Sequence, residues 1–289
     1  MNSELSTRRK QPFTVVIIQA RMSSSRLPGK VLREIAGEPM LAHVVRRSQR
    51  AQSVHQVVVA TTTDESDNPV VDFCHSNGII CYRGSMHDVL DRYYQTAQKY
   101  QAQVIVRITA DCPLIDPQLI DETVFGLTGS FSAPVIDDDS ISQTIFKPAY
   151  DFAANRLPPP WGRTYPIGLD TEVCSMSALE IAWREAKEKH QREHVMPFFY
   201  ENPERFRILH LDYQADFGQI RWTVDTPEDL EMIRKIFALF SPGEPGSWLE
   251  ILDLYLQHPE IAQINLQIKP KDYRQIDERQ QDAQERQNQ

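Results

Sequence analysis

Three arginine or lysine side chains, three serines and a Pro-Gly turn follow the first apolar run of this chain, in Ala20-Arg21-Met22-Ser23-Ser24-Ser25-Arg26-Leu27-Pro28-Gly29-Lys30. Such a segment packs poorly as core. Its hydroxyls and backbone N–H groups could wrap a polyphosphate while Arg21, Arg26 and Lys30 neutralise it. Any one of these cations alone would read as solvated surface; three at the end of a buried strand favour a phosphate site. A second feature is Thr109-Ala110-Asp111-Cys112-Pro113-Leu114, where an acid at a strand tip, held by a nearby proline, can present a metal ligand. Trp222-Thr223-Val224-Asp225-Thr226-Pro227 repeats the arrangement much later in the chain. If the two strands are neighbours, Asp111 and Asp225 converge, and two carboxylates beside a cationic loop suit Mg²⁺ bridging a nucleotide. Asp225 keeps a second reading, as a simple helix cap. The run Asp137-Asp138-Asp139 follows no clear strand and reads as a solvated loop.

These residues need a scaffold that brings separate strand ends together. Phe13 to Gln19 is almost continuously apolar and β-branched, as in a parallel strand buried on both faces. Gln56 to Thr61, Ile79 to Tyr82 and Val104 to Thr109 repeat the signal. Between them lie a helix starting near Pro39, one ending at Asn77-Gly78, and one with a Val89, Leu90, Tyr93, Tyr94, Ala97 stripe. Asp116-Pro117 starts another. The alternation predicts an α/β fold with an open, mostly parallel sheet and helices on both faces. Ligands of such sheets bind outside the carboxyl ends of the strands, where the basic loop and Asp111 lie. The later half is less regular. Ala149 to Gly168, with four prolines, predicts a long ordered loop or lid. Ser177 to His190 predicts a helix, Phe206 to Leu211 and Ile220 to Val224 predict strands, and Thr226 to Asp229 and Trp248 to Gln257 predict helices. The reading divides the chain into a flexible N-terminus (1–12), a main domain (13–240) with an insertion or lid at 149–200, a helical extension (241–270) and a disordered tail (271–289), which holds little to bury.

Composition narrows the function classes. The net charge of −9 argues against binding a nucleic-acid backbone, whose footprint is a basic face. The four cysteines, Cys74, Cys81, Cys112 and Cys174, form no Cys-x-x-Cys pair and indicate neither zinc nor a disulfide framework. With no long apolar run and no signal-peptide pattern, a cytoplasmic protein without membrane contact is expected. The oligomeric state stays open, a homodimer included.

At the level of motifs, the Ala20-to-Lys30 loop, Asp111-x-Pro113-Leu114 and Val224-Asp225-Thr226-Pro227-Glu228-Asp229-Leu230 resemble the cytidylyltransferases that make CMP-activated 3-deoxy sugar acids and sialic acids. The chain is most similar to the spore-coat-polysaccharide branch, at Arg83-Gly84-Ser85, Asp88-Val89-Leu90-Asp91-Arg92-Tyr93-Tyr94, Arg163-Thr164-Tyr165-Pro166-x-Gly168-Leu169-Asp170-x-Glu172 and Arg192-Glu193-His194-Val195. The resemblance implies a Rossmann-like nucleotidyltransferase fold, CTP as donor and Mg²⁺ as cofactor. It implies that Arg21 and Lys30 hold phosphates, within a nucleotide site of Ala20, Arg21, Ser23, Arg26, Lys30 and Asp111, and that Asp111 and Asp225 hold metal. Arg21, Lys30 and Asp111 are the expected catalytic residues. Thr61 would face the cytosine, and Arg83 and Ser85 the ribose or base edge, unless Arg83-Gly84-Ser85 is a plain turn. Where the sugar-acid enzymes carry an acid after the first aspartate, this chain has Cys112.

An acidic acceptor is expected between the proline-rich segment and the helix carrying Arg192 and His194. Arg163 or Arg192 could bind a carboxylate bidentately, Asp170 and Glu172 could accept hydroxyl hydrogen bonds, and Tyr165 lies in the same stretch. Alternatively Arg192-Glu193-His194 is a helix-end charge cluster. Two rival functions are a metal-dependent glycosyltransferase using Asp137-Asp138-Asp139 and a catalytically silent nucleotide-binding regulator.

Overall fold

The computed structural model describes residues 11–129, 147–240 and 243–269. Asp137-Asp138-Asp139, the tail from Lys271 and most of the expected N-terminal segment lie outside the described residues. The central sheet contains β1 (Thr14–Gln19), β2 (Gln56–Thr62), β3 (Ile80–Gly84), β4 (Val104–Thr109), β5 (Phe152–Ala154), β6 (Glu172–Ser175) and β7 (Ile208–His210), in the spatial order β7-β5-β6-β4-β1-β2-β3. Among the described residues β6 alone runs against its neighbours; the other pairings in this sheet are parallel. The helices are α1 (Met40–Gln49), α2 (Asn68–Ser76), α3 (Val89–Lys99), α4 (Pro117–Thr128), α5 (Met176–Glu185), α6 (Lys189–His194), α7 (Pro197–Tyr200), α8 (Pro227–Leu239), α9 (Trp248–Gln257) and α10 (Pro259–Gln263).

β1 is apolar on both sides because both sides are covered. Val15 and Ile17 join one core cluster with α3, α5 and α7, while Val16 and Ile18 join another with α1, α2 and α4. All four are fully buried, each contributing roughly 1.5–3 kcal/mol of hydrophobic stabilisation. A third cluster gathers α8, α9 and α10 around Trp222, Tyr165 and Leu114. The sheet registers Gln19 of β1 with Thr109 of β4, so the loops after these two strands emerge side by side.

The expected strands of the first half form, and the expected starts of α4 and α8 are capped as read. The Asp116 carboxylate accepts from Gln118 N and Leu119 N, and Thr226 forms a capping box with Asp229. The second half departs from expectation in three places. Residues 149–200, expected as an insertion or lid, supply β5 and β6 to the central sheet. The proline-rich part is a two-stranded ribbon pairing Arg156–Leu157 with Gly162–Arg163. The single helix expected over Ser177 to His190 is two, because Ala186 turns extended and Glu188 and Gln191 form a capping box that starts α6.

The third departure matters for the site. Ile220 to Val224 is an extended connector rather than a strand, making one isolated bridge between Arg221 and Ile167. Trp222 N donates to Ile167 O at 2.7 Å and Val224 N donates to Asp111 O at 2.9 Å, so its partners are two loops. Gly168 permits this: its φ is +107°, and a Cβ there would lie 2.7 Å from Thr223 N. The backbone can pass that closely only without a side chain.

Candidate active site

The ladders of the sheet continue one residue past the tip of β1, with Ala20 N donating to Ala60 O and Ala110 N to Gln19 O. The chain then leaves the sheet and closes a loop. Met22 N donates to the Asp67 carboxylate at 2.7 Å, and Gly29, in the left-handed region at φ +67°, returns its N–H to Met22 O at 2.8 Å. Lys30 follows immediately in a short 3₁₀ turn, Lys30–Leu32. The loop's closure therefore directs Lys30 back across the strand ends.

There Lys30 Nζ lies 2.7 Å from Asp111 Oδ2, 2.8 Å from Asp225 Oδ1 and 2.9 Å from Val224 O. Asp225 Oδ2 accepts from Arg221 at 2.7 Å and pairs with Arg26 at 3.0 Å. Residues from three distant stretches of sequence thus meet within one ion cluster. Asp225 does not cap α8: Thr226 does, and the Asp225 side chain is spent on cations. Burial disfavours charge on Lys30, but the adjacent Asp111 and Asp225 carboxylates outweigh it and raise its pKa. Burial likewise opposes charge on Asp225, yet Lys30, Arg221 and Arg26 hold its carboxyl well below the ordinary carboxylate range.

Both aspartates face one point, Lys30 Nζ, from separate chain segments, and each carries side-chain surface open to solvent (22% and 25%). Magnesium is commonly held by one or two carboxylates together with substrate phosphates. The donor set of Asp111 and Asp225 fits it. Among the described residues, Glu38, His43 and Glu244 also approach one another closely enough to share an ion. Arg46, however, donates to both Glu38 and Glu244, and Arg50 pairs with Glu244 at 2.6 Å. Those carboxylates are already neutralised by guanidinium groups.

Residues 15–261 match the family described as cytidylyltransferase. The chain belongs to the cytidylyltransferase family. Among relatives, it is 35% identical over 268 residues to an uncharacterized protein of Methanocaldococcus jannaschii, covering 91% of this chain and 98% of the relative. It is 30% identical over 253 residues to the spore coat polysaccharide biosynthesis protein SpsF of Bacillus subtilis, covering 85% and 95%. Among solved structures, a cytidylyltransferase from Leptospira borgpetersenii superposes with a TM-score of 0.76 at 29% identity, over 86% of this chain and 96% of that one.

Around the ion cluster of this cytidylyltransferase, the remaining expected residues fall into two sets. Arg21 and Ser23 lie half-buried in the first loop. Thr61 is fully buried on β2, and its Oγ1 has no hydrogen-bond partner. Gln19 Oε1, at the tip of β1, is likewise buried and unpartnered. Its place directly before the basic loop was the only sequence signal that could have marked it. Arg163 forms a bidentate pair with Asp170 at 2.8 and 3.1 Å. Burial, Asp111 and Asp170 together push up the thiol pKa of Cys112.

The other set is turned to the framework. Arg83 donates to Thr62 O, Asp64 O and Asn68 Oδ1, bracing the loop after β2. Ser85 Oγ accepts from Asp88 N. Tyr165 is buried 5.3 Å from the Trp248 ring. Glu172 is buried against Arg107, an arginine on β4 that sequence reasoning missed because it interrupts an apolar strand. Arg192 pairs with Asp88, which also caps α3, and donates to Trp183 O at 2.5 Å. It ties α6 to α3 rather than joining Arg163. His194 is half-buried on the same helix. Among the described residues no helix is long and apolar enough to cross a membrane.

Proposed function

We propose that this cytidylyltransferase transfers CMP from CTP to a small acidic acceptor, with Mg²⁺ as cofactor and release of pyrophosphate. The observation that carries the reading is Lys30 Nζ bridging Asp111 and Asp225 beneath the loop that holds Arg21 and Arg26. An acceptor oxygen attacks the α-phosphorus of CTP, the bond to the β-phosphate oxygen breaks, and pyrophosphate leaves with the electron pair. Such displacements depend mainly on positioning and charge neutralisation. Asp111 and Asp225 would hold Mg²⁺, which when bound supplies charge neutralisation at the phosphoryl oxygens. Arg21, Arg26 and Lys30 neutralise the leaving pyrophosphate. For Lys30 this means exchanging its carboxylate partners for phosphate oxygens, and the ion cluster keeps the ammonium beside the place where it acts.

The acceptor reading rests on the Arg163–Asp170 pair and on Arg156, which stands directly opposite Arg163 in the ribbon. Like charges facing across strands are unfavourable. Asp170 compensates this pair, its carboxyl held low by Arg163, Arg156 and Arg107 against the opposing effect of burial. Arg107 is already paired with Glu172, so Arg156 and Arg163 share Asp170 alone, and the surplus guanidinium charge suits a second carboxylate, that of the acceptor. Family membership disfavours the glycosyltransferase reading, and the full set of Arg21, Lys30, Asp111 and Asp225 disfavours a silent regulator. A pyrophosphate-release assay with CTP, Mg²⁺ and a panel of sugar acids tests the proposal; release that is independent of any acid would refute the acceptor class.

A further inference from the structure

Behind Asp225 lies a polar network that the transfer reaction does not use directly. Asp229 is completely buried, and its carboxylate accepts five hydrogen bonds. Two come from Arg221, through Nε and Nη2, both at 3.0 Å. Two come from the backbone N–H groups of Asp225 at 2.9 Å and Thr226 at 3.1 Å. The fifth comes from Asn265 Nδ2 at 2.9 Å, and the same amide nitrogen lies 3.1 Å from Arg221 O. Arg221 then extends the network forward, donating from Nη2 to Asp225 Oδ2 at 2.7 Å.

A capping box needs only the bonds to and from Thr226. Of the remaining contacts, Asn265 braces Asp229 and Arg221 O, while those with Arg221 and the Asp225 N–H act on Asp225 or on Arg221, which holds it. They fix the aspartate at two places, its backbone nitrogen and Oδ2, and leave Oδ1 as the oxygen turned toward Asp111 and Lys30. Groups that hold a ligating carboxylate from behind commonly govern metal affinity. Asn265 follows α10, forty positions beyond Asp225 in the chain, and is buried at 4% exposure. Its side-chain amide reaches back to the start of α8, donating to Asp229 Oδ1 and Arg221 O.

We infer that Arg221, Asp229 and Asn265 are positioning residues for Asp225, so that the C-terminal helices form part of the metal site. The inference rests on the proposed metal role of Asp225. The full-length chain is the right material, with Mn²⁺ as the probe and free Mn²⁺ followed by electron paramagnetic resonance in the presence of CTP. Asn265→Ala and Arg221→Lys, which retains the charge but can reach only one of the two aspartates, should each weaken Mn²⁺ binding about tenfold. Their CTP affinity in the presence of a chelator should stay within about twofold of wild type, since neither residue is placed on the nucleotide. A variant that melts at lower temperature yet binds Mn²⁺ like wild type would show a purely structural network and overturn the inference. The underlying reading has its own arm: if Asp225→Asn leaves Mn²⁺ binding unchanged, Asp225 is not a ligand and the metal role itself falls.

Discussion

At the scale of single residues the proposed chemistry turns on Lys30. Its ammonium is the only cation shared by Asp111 and Asp225 among the described residues, and its removal leaves two carboxylates facing each other with less compensation. Lys30→Ala should lower turnover at least tenfold, since a lost charge-assisted contact is worth roughly 1.5–3 kcal/mol and each 1.4 kcal/mol is a factor of ten. Steady-state pyrophosphate release would show it; a fall below threefold would place Lys30 outside the reacting phosphates. The same cluster predicts a pH response. The carboxyl of Asp225 is depressed below its ordinary value of 3.8, so its contribution to stability is complete above that pH and is lost as pH falls through the folded-state value. Urea midpoints should therefore drop more steeply below about pH 4 for wild type than for Asp225→Asn. Equal slopes would mean that the Asp225 pairings do not contribute. Arg26 and Lys30 were legible as candidates from the cationic loop that follows an apolar strand, and Asp111 and Asp225 because each ends an apolar run. Arg221 and Arg107 were not, since a buried arginine within an apolar stretch is recognisable only by the acid it meets, and those acids lie on other segments or on a later helical turn.

Among elements, the strands of the first half were legible from their continuous β-branched runs, which only a sheet covered on both faces requires. β5 and β6 were hidden for a physical reason: with three and four residues they are too short for periodicity, and they flank prolines that suggest a loop. The connector carrying Arg221 to Asp225 looked like a strand because it is apolar, yet its burial comes from α8, α9 and α10 rather than from a neighbouring strand. Gly168 makes that placement possible. Gly168→Ala should destabilise by on the order of 1–3 kcal/mol from backbone strain alone, and should also reduce turnover by moving the connector that ends in Asp225. Urea denaturation and pyrophosphate release together would detect both; a fully active, fully stable variant would contradict the close approach. The pairing of Arg192 with Asp88 supports a fastening between α6 and α3. Arg192→Ala should lower the melting temperature by a few degrees, as for the loss of roughly 1–2 kcal/mol in a chain of this size, with unchanged apparent affinity for the acceptor. A raised acceptor KM with an unchanged melting temperature would instead return Arg192 to the acceptor site.

On the scale of the whole molecule, an acidic chain with net charge −9 concentrates cations where the strands end. The fold brings the first loop, the tip of β4 and the connector from the later half to that one edge, and the C-terminal helices close behind it. Organisation of this kind is common to enzymes that use nucleotides in different ways, and the family assignment narrows it to cytidylyl transfer without naming the acceptor. Gln19 Oε1 and Thr61 Oγ1 are buried without a hydrogen-bond partner, a feature visible only in the folded chain. The most direct measurement is pyrophosphate release with each of the four common nucleoside triphosphates, Mg²⁺ and a panel of sugar acids and neutral sugars. The account predicts release with CTP and an acid, abolished in Asp111→Asn and Asp225→Asn variants that keep wild-type circular dichroism. Equal release from other triphosphates, or undiminished release in both aspartate variants, would contradict it.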